Sequence, residues 1–121
     1  MVHCTYDPET KSGSGFNGRK VKGTIHWVSA AHAGQVECRL YENIVDEEKG
    51  KLNADGTLNL NPNSKTVTTA YVEPALMGAK AYESFQFVRN GFYCVDCKDS
   101  LEGKPVYNRI VSLKSSFRLP K

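Results

Sequence analysis

The chain has 121 residues, 40% hydrophobic and 24% charged, with 16 Lys and Arg against 13 Asp and Glu for a formal net charge of +3. That length holds one hydrophobic core, or two very small barrels sharing an interface, and the composition is that of a globular domain rather than a disordered tail. No apolar run approaches the roughly 18 residues of a membrane helix, no basic-then-apolar start marks a secretory leader, and the slight positive surplus permits a polyanionic partner without demanding one.

Strand signals dominate the chain in order. Val2 to Tyr6 reads as a short strand, and Asp7 to Arg19 as a polar loop carrying Gly13, Gly15 and Gly18. Lys20 to Val28 alternates polar and apolar side chains, a period of two that predicts a half-buried strand. Ser29 to Gln35 is short and rich in small residues, suiting a tight corner or one helical turn. Val36 to Tyr41 is the next expected strand, with Val36, Cys38 and Leu40 on one face. Asp46 to Lys65 is rich in Asn, Gly and Lys, with the turn dipeptides Asp55-Gly56 and Asn61-Pro62, so a mobile loop is expected there. Lys65 to Tyr71, rich in threonine, reads as a strand, and Glu73 to Lys80 as one or two helical turns. Three close strands follow: Ser84 to Arg89, Phe92 to Val95 and Val106 to Leu113. Asn90-Gly91 between the first two is the strongest hairpin signal in the chain. An all-β fold of Greek-key or meander barrels follows from this pattern.

The chemistry-bearing residues are few. Cys94-Val95-Asp96-Cys97 is half of a zinc site, but a structural zinc takes four ligands and no matching second pair exists. Strand residues three apart also point to opposite faces, so no metal is expected. With Cys4 and Cys38 these thiols are too few for a disulfide-stapled secreted scaffold, and reduced cysteines in the cytoplasm are the expectation. His26, His32 and Ser29 lack the strained nucleophile turn that an acyl-transfer site needs. His32 is expected to satisfy a backbone carbonyl at the corner. Neither a P-loop nor a G-x-G-x-x-G string is present.

Phe85-Gln86-Phe87-Val88-Arg89-Asn90-Gly91-Phe92-Tyr93 stands apart. On a strand Phe85, Phe87 and Arg89 share one face, unless the end of the strand twists to bring Gln86 and Arg89 to one edge. Gln and Arg form paired hydrogen bonds to base edges, and aromatic rings stack on splayed bases. The residues alone leave two readings open: a base-reading hairpin, or a hairpin with a buried aromatic ladder and an exposed arginine.

Five ordered blocks carry a resemblance. They are His3-Cys4-Thr5-Tyr6-Asp7, the run from Arg19 to Ala33, Glu37-Cys38-Arg39-Leu40-Tyr41, Phe85-Gln86-Phe87 with Arg89, and Lys104-Pro105-Val106-Tyr107-Asn108-Arg109. Together they are similar to the anticodon-binding region of glutaminyl-tRNA synthetases, over nearly the whole chain and least from Ile44 to Ala81. Archaeal and eukaryotic-type glutamyl-tRNA synthetases share the architecture. A free-standing rRNA-binding barrel like ribosomal protein bL25 would lack the Phe-Gln-Phe-x-Arg string, and a protein-interaction barrel would have no RNA role.

The resemblance implies a bL25-like anticodon-binding β-barrel: residues 1–80 as the distal barrel, and 81–121 as returning strands of the proximal barrel with a C-terminal tail. It implies tRNA(Gln) as partner, bound through the anticodon loop, and the catalytic domain of the same enzyme as the other partner, with no DNA and no membrane. Gln86 and Arg89 fall on positions that contact the central anticodon base, a uracil. Arg109, Lys114 and Ser116 are implied as further RNA contacts. The ATP-dependent ligase chemistry, with magnesium, belongs to a class I catalytic fold whose HIGH-like and KMSKS-like motifs are missing from these residues. No cofactor and no catalytic residue are therefore expected here.

Overall fold

A computed structural model of the chain describes residues 3–11, 13–20, 22–46 and 48–113. Its strands are β1 (Gly34–Tyr41), β2 (Lys65–Val72), β3 (Ser84–Phe87), β4 (Gly91–Val95) and β5 (Val106–Ser112), forming one sheet in the order β2-β1-β5-β4-β3. All neighbours are antiparallel except β1 and β5, which run parallel with Cys38 opposite Tyr107. The sheet takes β1 and β2 from residues 1–80 and β3 to β5 from 81–121, so both expected segments share it.

Alternation explains which face is buried. Val36 and Cys38 on β1, Val72 on β2, Tyr93 and Val95 on β4 and Tyr107 on β5 form the core, with Leu40, Phe85 and Phe87 packed against it. Phe87 stacks on Tyr93 with ring centroids 4.4 Å apart, and both Phe85 and Phe87 contact the fully buried Tyr107. These four aromatics are the largest side chains of the small core. The helical turn expected near residue 76 is a 3₁₀ turn, Pro74–Gly78, opened by proline at its start. Tyr107 donates its hydroxyl to the Leu76 carbonyl at 2.6 Å, which ties that turn to the sheet. Met77 covers Gly34, where any side chain would collide with its sulfur.

Three expectations are corrected. Residues 22–28 form no strand; Ile25 and Trp27 stay 83% and 74% exposed. Alternation reports which face a segment would bury, not whether a neighbouring edge stands in register to accept its N–H groups. His26 and Val28 instead line a cleft of about 330 Å³ with Tyr71, Val72 and Phe87, between the two edge strands β2 and β3. Residues 3–6 likewise form no strand: the segment is exposed and leads into a 3₁₀ turn, Pro8–Thr10, capped by the Asp7 carboxylate accepting from the Glu9 amide. At the corner before β1, the His32 ring pairs with the Ser29 hydroxyl at 2.9 Å rather than with a carbonyl.

The polar loop between β1 and β2 is internally bonded. Val45 bridges Leu60 and Leu52 bridges Leu58, with Gly56 at φ 81° turning the chain after Asp55. Among the described residues no helix is long and apolar enough to cross a membrane.

Candidate nucleic-acid interface

The β3–β4 hairpin is present, but its turn is not where the Asn-Gly dipeptide predicts. Phe87 pairs with Gly91, so Val88, Arg89 and Asn90 form the loop, closed by the Asn90 amide donating to the Phe87 carbonyl at 2.8 Å. Gly91 belongs to β4. A side chain there would meet the Val111 carbonyl oxygen at 2.7 Å, so the glycine serves close approach of β5 rather than the turn.

The positive φ falls on Arg89, at 64°. It is the third residue of the turn, where a type II turn takes Gly or Asn. A long side chain in this left-handed region costs on the order of 1 kcal/mol, so the fold holds an exposed guanidinium at the tip at an energetic cost. Asn90 fixes the tip from the other side, its Oδ1 accepting the Tyr93 hydroxyl proton at 2.7 Å. Burial of Tyr93 raises its pKa, which keeps that hydroxyl a donor.

Gln86 precedes the turn on β3, facing away from the core between the inward Phe85 and Phe87. Its side chain is exposed and, among the described residues, makes no hydrogen bond. Arg89 is likewise exposed, with no side-chain hydrogen bond or ion pair among the described residues. The two expected base readers therefore sit on one hairpin tip, although they line different hollows. Gln86 borders the cleft with His26 and Val28. Arg89 borders a shallow hollow of about 390 Å³ with Asn90, Ser112 and Leu113.

Arg109 is placed differently. It shares the face of Tyr107 on β5, and its side chain is 19% exposed and ion-paired to Glu42 at 2.7 Å. The expectation that it contacts RNA must contend with that pair, whose partners are too far apart in the chain to be matched by inspection. Lys114 and Ser116 lie outside the described residues. The sequence marks Phe92 only as one aromatic of the hairpin string; that it faces outward follows once Tyr93 beside it is seen to be buried.

The middle of the sheet's outer face is closed by ion pairs. Arg39, 13% exposed on its side chain, bonds Glu37 at 2.7 Å and Asp99, and lies 3.9 Å from Asp96. Asp96 accepts the Asp99 and Lys98 amides and the Asn108 side-chain amide. The Asp99 amide, Asn108 and the Lys98 amide hold its carboxyl at about 2, with Arg39 adding to the effect. Of the cysteines, Cys38 is buried and its thiol is pushed up to about 11 by burial and by Glu37. Cys94 is half-buried on β4 and Cys97 is exposed on the turn after it.

The sheet thus carries an exposed arginine and an exposed amide on one hairpin, with its other arginines paired to carboxylates, and the class expected from the resemblance is an anticodon-binding domain. The class is borne out by comparison. Residues 24–96 match the anti-codon binding domain of class I tRNA synthetases (E and Q), and the chain belongs to that family. It is 48% identical to a glutamine–tRNA ligase of Clostridium perfringens over 122 residues, which cover 98% of this chain and 22% of that protein. It is 51% identical to a glutamine–tRNA ligase of Clostridioides difficile, over 97% of this chain and 22% of that one. A glutamine–tRNA ligase of Cupriavidus necator is also 51% identical, over 96% of this chain and 20% of its own length. The chain spans about a fifth of the length of the curated relatives it matches.

Proposed function

We propose that the chain is the anticodon-reading part of a glutamine–tRNA ligase, working in the cytoplasm on the anticodon loop of tRNA(Gln), and that Gln86 and Arg89 read its central base. Family membership makes the class of partner an anticodon. Glutamine rather than glutamate is favoured by the names and the 48–51% identity of the relatives above. The observation that carries the residue assignment is Arg89 itself, exposed at a turn position that disfavours any side chain.

The chemistry fits a uracil. Uracil offers O4 and O2 acceptors around an N3–H donor. Arg89 only donates, so it addresses a carbonyl oxygen; Gln86 both donates and accepts, so it satisfies the adjoining donor–acceptor pair. A splayed loop exposes these edges, whereas a closed A-form groove hides them. Arg109, Lys114 and Ser116 are assigned to the RNA backbone, where contacts position the loop without encoding sequence. For Arg109 this requires exchanging Glu42 for a phosphate.

Joining glutamine to tRNA, with ATP and magnesium, is assigned to the part of the ligase that this chain does not span. The division near residue 80 becomes one of labour: β1 and β2 brace the hairpin that residues 81–121 supply.

The test is a titration of the chain with the anticodon stem-loop of tRNA(Gln), the same stem-loop with cytosine at the centre, and the stem-loop of tRNA(Glu). Tightest binding to the first is expected. Equal binding to all three would reduce the interface to an electrostatic surface without base reading.

A further inference from the structure

The strand register places Gln86 of β3 opposite Phe92 of β4, and Phe92 opposite Val111 of β5. Residues directly opposite in an antiparallel pair project to the same face with Cβ atoms roughly 4.5–5.5 Å apart. Because Phe87 and Tyr93 point into the core, this row of three lies on the outer face. Phe92 is 41% exposed and Val111 52%. The core uses Phe85, Phe87, Tyr93 and Tyr107 in its ring contacts, and among the described residues Phe92 joins none of them.

We propose that the ring of Phe92 is a stacking platform for an unstacked RNA base, the one whose edge Gln86 reads. The inference rests on the anticodon reading above and adds to it a residue of a different kind. A sheet surface that sets an exposed aromatic ring beside an amide offers a single-stranded base both a face to lie on and an edge to bond. Val111 flanks Phe92 on the far side, so the ring lies in the middle of the row between Gln86 and Val111. Arg89 follows three residues after Gln86 in the loop and borders a separate hollow with Asn90, Ser112 and Leu113.

Stacking and edge reading have separable signatures. Every base has a π-face, so loss of the platform weakens binding whatever the base, by roughly ten- to a hundredfold in Kd. Loss of an edge reader changes the ratio between bases. Neither a ring nor its loss neutralises a phosphate, so the salt dependence of binding stays unchanged.

The experiment titrates the 121-residue chain, as wild type, Phe92→Leu and Phe92→Tyr, with the tRNA(Gln) anticodon stem-loop and its central-cytosine form, at two salt concentrations. Phe92→Leu is expected to weaken both RNAs by the same factor, within the range above, with an unaltered salt slope. Phe92→Tyr is expected to bind as wild type. A Phe92→Trp chain adds a second reading that does not depend on affinity. Its extra fluorescence, relative to wild type with Trp27 alone, is expected to be quenched on RNA binding.

If wild type binds the stem-loop and Phe92→Leu binds equally well, stacking is overturned while the anticodon reading stands. If Leu and Tyr lose affinity alike, or the added tryptophan is not quenched, the platform is likewise refuted. Should wild type bind neither RNA, the anticodon reading and this inference fall together.

Discussion

Two regions of one sheet hold arginines and treat them in opposite ways. In the middle of the sheet, Arg39 and Arg109 are mostly shielded from solvent and each meets a carboxylate at 2.7 Å. At the β3–β4 tip, Arg89 is exposed, free of side-chain partners among the described residues, and held at positive φ. In the first arrangement each guanidinium is neutralised, and removing its carboxylate would leave a shielded charge without a counter-ion. The second costs stability, and strained residues of this kind collect at functional sites. The contrast separates paired arginines from a free one, a distinction that a net charge of +3 alone does not make.

The contrast can be tested by damaging each side in turn. Arg39→Ala removes charge-assisted hydrogen bonds to Glu37 and Asp99, whose carboxylates stay half-exposed and hydrated, and a loss of about 2–3 kcal/mol in unfolding free energy is expected. Urea titration measures it. Base discrimination in RNA binding, checked under folding conditions, should not change.

Acid gives the next largest effect. The Asp96 carboxyl is held at about 2, against 3.8 for an ordinary aspartate, first by the Asp99 amide and then by Asn108. A depressed folded-state pKa contributes stability above the unfolded value that is lost as pH falls through the folded one. The expected loss is on the order of 2 kcal/mol between pH 5 and pH 2, and Asn108→Leu should make it smaller. Unfolding midpoints as a function of pH, for wild type and that variant, decide it.

Arg109→Ala removes the exchangeable pair with Glu42 and is expected to cost about 1 kcal/mol of stability. If Arg109 also reaches a phosphate, it should lower RNA binding about equally for every sequence and reduce the salt slope by about one. A change in base preference instead would move Arg109 into the reading group.

The smallest effect is a gain. Arg89→Gly relieves the left-handed strain and should raise the thermal midpoint by the equivalent of about 0.5–1 kcal/mol, while discrimination is lost. A stability gain without loss of binding would mean the strain serves no purpose at this site.

Much of this was legible in the sequence because local chemistry set it. The alternation from Val36 to Tyr41, the threonines from Lys65, and the three closing strands all appear where expected, as does the turn opened by Pro74. Non-local pairing was not legible. Lys20 to Val28 has a strand's alternation, but among the described residues none of 22–28 pairs with a strand. The Asn90-Gly91 dipeptide marks the hairpin while misplacing its turn, because Gly91 answers to the Val111 carbonyl across the sheet. Gln86 and Arg89 could be placed on one hairpin from their spacing. The ion pair of Arg109 with Glu42 joins segments 67 residues apart, and no spacing rule reveals it.

The most direct test of the central claim is kcat/KM for aminoacylation by the full-length ligase that contains this chain, on cognate tRNA(Gln) and on its central-base mutant, in wild type and Arg89→Ala. Loss of one good edge contact predicts that discrimination at that base narrows by the equivalent of about 1–3 kcal/mol, chiefly through loss of cognate activity. A fall by the same factor on both tRNAs would contradict base reading and leave Arg89 only a positioning role.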